Sequence, residues 1–257
     1  MTPFKSMTKE GFFTLLFLTY IPLTAATRSD VNLLEASEGI RFISQQIVKD
    51  YFYLAQNHRN KAVMNDLHKG VLQLDTKLRT IASATNSEDT KDILTFLAYS
   101  RDEIEETIAE PYSADNAALM LDYSEALLEG AESIAAEHSY QFSTEEQMLI
   151  NVKKMQYLIE RMSKYYMTFQ LGINDLNNIK QLHQAIEAFE NGLKQLNAYG
   201  YTEQSASVLS SLNQFWPIAK KFYLDSDKIK LPNVLNLSTQ HIENTLTDLE
   251  LYHSQNL

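Results

Sequence analysis

Two stretches of the chain, residues 40–55 and 155–170, carry the same helical stripe 115 residues apart. In the first, Ile40, Ile43, Ile47, Tyr51 and Leu54 step by 3, 4, 4 and 3; in the second, Met155, Leu158, Met162, Tyr166 and Phe169 do the same. That spacing lays one apolar stripe along an α-helix and suits packing against other helices. The register persists far beyond these stretches. At the same offset, without a gap, Leu34/Leu149, Lys49/Lys164, His68/His183, Leu94/Leu209 and His138/His253 are identical, and apolar class is kept at Val71/Ile186, Leu74/Phe189 and Leu127/Ile242. One coincidence means little in leucine-rich helices, but a run of them with two histidine pairs implies two copies of one unit. The predicted fold class is all-α, with two tandem four-helix up-down bundles at 27–141 and 142–257.

Composition agrees. With only 7 Gly and 5 Pro in 257 residues there is little punctuation for a many-stranded sheet, and 44% apolar residues suffice for a sizeable core. The formal charge of -11 argues against general nucleic-acid binding, which needs a basic footprint, and against docking on anionic lipid. The absence of cysteine excludes disulfides, thiolate nucleophiles and cysteine-ligated metal.

Residues 1–26 read as a secretory signal. Lys5 and Lys9 give a positive start, residues 11–23 a short apolar run, and Thr24, Ala25 and Ala26 the small residues a signal peptidase reads. Cleavage is expected after Ala26, leaving an exported chain with no transmembrane segment; retention as an anchor is the alternative. Helices are predicted at 32–57, 63–81, 90–108, 114–138, 144–171, 176–196, 202–224 and 232–253. Ser143 and Glu146 have capping-box spacing, Gly172 can close the fifth helix, and Pro111 stops the third. Pro217 should kink or split the seventh, and Pro232 suits the first turn of the eighth.

Little in the chain points to catalysis. No His-x-x-x-His pair marks a metal site, and there is no glycine-rich phosphate loop or nucleophile elbow. The acidic runs at Glu103–Glu110 and at Glu145 and Glu146 read as solvated faces, and the repeated histidines as boundary residues with a polar tip in water. No cofactor and no metal are expected, and the chain reads as a non-enzyme.

The first helix of each copy resembles the opening of the N-terminal domain of type IV pili methyl-accepting chemotaxis transducers, the PilJ-type domain. In the second copy Ile150, Asn151, Leu158, Arg161 and Lys164 match that pattern; in the first, Arg41, Ser44, Gln45, Ile47 and Lys49 do. The segment 182–196 is similar to the family's second helix. The resemblance implies a four-helix sensor bundle like that of nitrate and nitrite sensors, where first-helix arginines meet across a two-fold interface and hold an anion. Clustered guanidinium groups repel, and a small oxyanion relieves them through charge-assisted bonds.

Arg41 aligns with Gln156 and Arg161 with Gln46, so each copy keeps one arginine at a different position. The resulting expectation is an asymmetric anion site of Arg41 and Arg161, helped by Lys49 and Lys164. Against it, the same four side chains would be solvated faces of amphipathic helices. The resemblance further implies a periplasmic sensory or ligand-binding protein acting through a membrane-bound signalling or pilus partner, with a homodimer as one arrangement. The rival role is a structural adaptor of the cell envelope or pilus machinery without a small ligand.

Overall fold

In a computed structural model, residues 28–226 and 228–257 are described; the expected signal segment lies outside them. Eight helices follow in order: α1 Arg28–Gln56, α2 Lys61–Ala84, α3 Glu88–Ala109, α4 Ala114–Glu137, α5 Thr144–Gln170, α6 Leu176–Ala198, α7 Glu203–Leu224 and α8 Pro232–Gln255. No strand occurs among the described residues. None of the described helices is long and apolar enough to cross a membrane.

Local chemistry sets the ends. The Ser143 hydroxyl accepts from the Glu146 backbone N–H while the Glu146 carboxylate accepts from the Ser143 N–H, so two orphan donors at the start of α5 are satisfied reciprocally. At its other end Gly172 takes φ +83°, and Ile173 N–H donates back to the Thr168 carbonyl. A residue with a Cβ pays for that left-handed turn, which is why glycine stands there. Ser87, Ser113 and Asp175 cap α3, α4 and α6 in the same way as Asn60 caps α2.

Pro217 does not split α7, which runs through it unbroken. An interior proline costs about 3 kcal/mol. The face bearing Leu209, Leu212, Trp216 and Tyr223 is buried, and each such side chain returns roughly 1.5–3 kcal/mol. Burial outweighs the lost hydrogen bond.

α1 packs against α2, α4 and α5; α5 packs against α6, α8 and α1. The remaining helices meet as neighbours in sequence: α2 with α3, α3 with α4, α6 with α7, α7 with α8. α1 and α5 therefore have helices on several sides, and the apolar stripes read from the sequence are only one of their buried faces. Ile40, Ile47, Met155, Met162 and Tyr166 are fully buried, as the spacing predicts. So are Lys164, Glu160 and Gln45, which it does not predict.

Candidate functional site

All four cationic residues singled out from the sequence lie on α1 and α5, Arg41, Arg161 and Lys164 with partners on α4 and Lys49 with partners on α5 and α8, and none is a solvated face. Arg41 is 7% exposed, Lys49 4% and Lys164 0%; the Arg161 side chain is 13% exposed. They divide into two clusters.

The first cluster holds Arg41, Arg161 and Lys164. Arg41 lies in α1, with its guanidinium 4.2 Å over the Tyr157 ring of α5. Its Nη1 donates to Glu38 Oε1 at 2.7 Å, and its Nη2 lies 3.7 Å from Glu132 of α4. Arg161 and Lys164 converge on one carboxylate, Glu125 of α4, each at 2.5 Å. Lys164 also donates to the Ser124 hydroxyl at 2.9 Å, and Arg161 to Gln181 Oε1 at 2.9 Å. Tyr157 lies within the influence of both arginines: burial raises its phenol pKa, while Arg41 and then Arg161 pull it the other way. The structure thus sets Arg41 on the Tyr157 ring and Arg161 5.8 Å from the Tyr165 ring, with Glu38, Glu132 and Glu125 as counter-ions.

Protonation follows from this crowding. Burial brings the Lys164 ammonium down to about 8, with Arg161 beside it adding to the depression and Glu125 opposing it. Glu125 resists the burial that would raise it, because Lys164 and Arg161 hold it below the ordinary carboxylate range. One carboxylate serving two cations stays ionised; of the two cations, the deeply buried lysine holds its proton less firmly.

The second cluster surrounds Lys49. Its ammonium donates to Glu160 Oε1 at 2.8 Å and lies 3.4 Å from Asp50 Oδ1. Burial would lower the Lys49 pKa, but Asp50, Glu160 and Glu243 together outweigh it and hold it high. Burial pushes the Asp50 carboxyl up to about 7, with Glu160 adding to the rise, and raises Glu243 of α8 well above the usual range. One lysine faces three carboxyl groups; Asp50 Oδ2 is buried without a hydrogen-bond partner, and Glu160 and Glu243 lie within hydrogen-bond reach of each other, a contact that needs one of the two protonated. Neutralising carboxyl groups by protonation is the inexpensive way to bury such an excess.

Glu38, Glu125, Glu160 and Tyr157 are absent from the sequence expectation. Helix spacing would pair Glu160 with Lys164 one turn on. Instead Glu160 takes Lys49 from α1, and Lys164 takes Glu125 from α4.

The histidine expectation changes too. His253 is fully buried: its Nδ1 lies 2.9 Å from Glu145 Oε2 and its Nε2 2.8 Å from the Tyr201 hydroxyl. Its counterpart His138 lies 3.5 Å from Asp30 and 3.2 Å from the Thr90 hydroxyl. Glu145 is therefore no solvated acid; it also accepts from the Tyr199 hydroxyl. Each pair joins the first turn of one helix to the end of another, α1 to α4 and α5 to α8. Among the described residues no group of three or more histidines and carboxylates is arranged to hold a metal ion.

Comparison with protein-family models, with curated proteins and with solved structures finds no match for this chain.

Proposed function

We propose that this chain is a non-catalytic ligand-binding input module of two tandem four-helix units, 27–141 and 142–257, which holds a small oxyanion between Arg41 and Arg161. The reading keeps the resemblance to PilJ-type sensor domains. It places the protein in the bacterial periplasm, acting through a membrane-bound signalling or pilus partner. Helix positions support two copies: α2 and α6 begin at Lys61 and Leu176, and α3 and α7 at Glu88 and Glu203, 115 residues apart in each case. The repeated acid–histidine pairs support it as well.

One observation carries the site. Arg41 Nε and Arg161 Nε are both buried without a hydrogen-bond partner, on two guanidinium groups whose charges both act on the Tyr157 phenol. A buried unpaired donor on a charged group is costly, and a planar oxyanion supplies acceptors for both. The counter-ion it would displace is Glu132, whose side chain is 65% exposed and whose contact with Arg41 is loose at 3.7 Å.

The test is a thermal-shift titration of the full chain with nitrate, nitrite, sulfate and short carboxylates. Ligand at 100 times its Kd should add about 2.7 kcal/mol to stability. Arg41→Lys and Arg161→Lys keep the charge but remove the guanidinium fork, and each should abolish the shift. No shift with any oxyanion, or a shift that survives both variants, would reject the site.

The adaptor role is favoured by a different observation. Leu176 is 85% exposed, Leu237 66%, and Leu224 and Leu231 48% each. Tyr166 and Gln170, near the end of α5, bond the carbonyls of Ile229 and Ser226, so the end of α5 and the α7–α8 joint lie at one end of the molecule. Exposed leucines gathered there suit a protein partner. Leu176→Glu with Leu237→Glu should leave folding intact and abolish partner capture if the adaptor reading holds.

A further inference from the structure

A cleft of about 790 Å³ opens between the α1–α2 joint and the first turns of α8, and shares no residue with the Arg41–Arg161 cluster. We infer that it binds a neutral saccharide. Its volume lies within the usual range for small-molecule sites. Six of its thirteen lining residues are carboxamides: Gln56, Asn57, Asn60, Asn233, Asn236 and Gln240. A carboxamide offers donors and an acceptor without net charge, and a sugar hydroxyl is likewise donor and acceptor. A wall of such groups matches a ring of hydroxyls better than it matches an ion, which needs a concentrated opposite charge.

Two features make this a built site rather than a polar surface. Asn236 is only 8% exposed, lines the cleft, and has no side-chain hydrogen-bond partner among the described residues. Its amide is not among the side-chain groups sealed from solvent, so it faces the cleft, where a ligand hydroxyl can take the place of water. The rims are also fixed to each other. The Tyr53 hydroxyl donates to Asn233 Oδ1 at 2.7 Å and accepts from Asn60 Nδ2 at 3.2 Å, tying the end of α1 to the starts of α2 and α8. Leu237, exposed beside them, offers an apolar face for the C–H side of a sugar ring, and Asp66 an acceptor for neighbouring hydroxyls.

The test is calorimetric titration of the full chain with glucose, N-acetylglucosamine and the β-linked trisaccharide of each. Saturable binding of at least one is expected. Asn236→Ala should weaken it at least about tenfold, the factor that corresponds to 1.4 kcal/mol. Gln240→Ala, at an exposed position where folding is not at stake, should weaken it in the same direction. Arg41→Lys should leave it unchanged, which separates this site from the oxyanion site. Failure of all four sugars to bind would overturn the inference, as would binding unaffected by both cleft variants. Glycine, a zwitterion that Arg59 and Asp66 could hold, is the control: if it binds in an Asn236-dependent way and the sugars do not, the cleft is not a saccharide site.

Discussion

Lys49 Nζ lies 2.8 Å from Glu160 Oε1, joining α1 to α5 by an ion pair whose side chains are 5% and 0% exposed. Two ions this deep lose most of their hydration, so the pair is worth little in net terms although its members depend on each other. Lys49→Met should cost about 3–5 kcal/mol, because Glu160 is then left buried and unpaired. Adding Glu160→Met should recover most of that loss. A double-mutant cycle by chemical denaturation measures it; additive losses would mean that the two side chains act independently.

Stability should be greatest in mild acid. Asp50 has an ordinary carboxylate pKa when unfolded and one of about 7 when folded, and Glu243 is raised in the same sense. Between those values the folded chain binds more protons than the unfolded one, so stability falls as pH rises toward 7. Glu125, Glu145 and Glu190 are depressed below 4.5, so the stability they contribute is lost as pH falls below that value. Thermal unfolding should therefore show a maximum between the two limbs. Asp50→Asn should flatten the neutral limb and leave the acid limb in place; an unchanged neutral limb would count against Asp50 as its source.

His253→Ala should destabilise more than His138→Ala. The first removes a fully buried ring and strands Tyr201 and Glu145, a loss of about 2–4 kcal/mol. The His138 side chain is 14% exposed and its contact with Asp30 is longer, at 3.5 Å. Water can replace part of what it provides. Paired thermal melts decide the order, and equal losses would show that burial is not what sets the cost.

Gly70→Ala tests how closely α1 and α2 approach. A Cβ at Gly70 would come within 2.9 Å of Ile47 Cγ1, on a β-branched side chain that is fully buried. Alanine gains about 1 kcal/mol of helix propensity over glycine. Overpacking against a stiff neighbour costs about 1–3 kcal/mol, so the net effect should be a loss. A rise in Tm would show that Ile47 can give way.

Much of the fold is legible in the residues because its signals are local. Ser143 and Glu146, three apart, announce the start of α5, and Gly172 its end. The stripe from Met155 to Phe169 announces a buried face. Each depends on a helical turn or two of chain, which sequence spacing specifies directly. Arg41, Lys49, Arg161 and Lys164 stand out through the resemblance of the two first helices to a known pattern, not by a local signal of this kind.

Their surroundings were decided only by the tertiary structure. Period alone marks the face a helix must bury; it cannot say whether the opposite face meets water. α1 and α5 each have neighbours on more than one side, so Lys164 and Glu160, on faces that spacing leaves polar, end up fully enclosed. Once water is excluded, every charge there must find a partner. Those partners come from α4 and from the other central helix, at sequence distances that no local pattern encodes. Glu125 lies 39 residues before Lys164, and Lys49 lies 111 residues before Glu160.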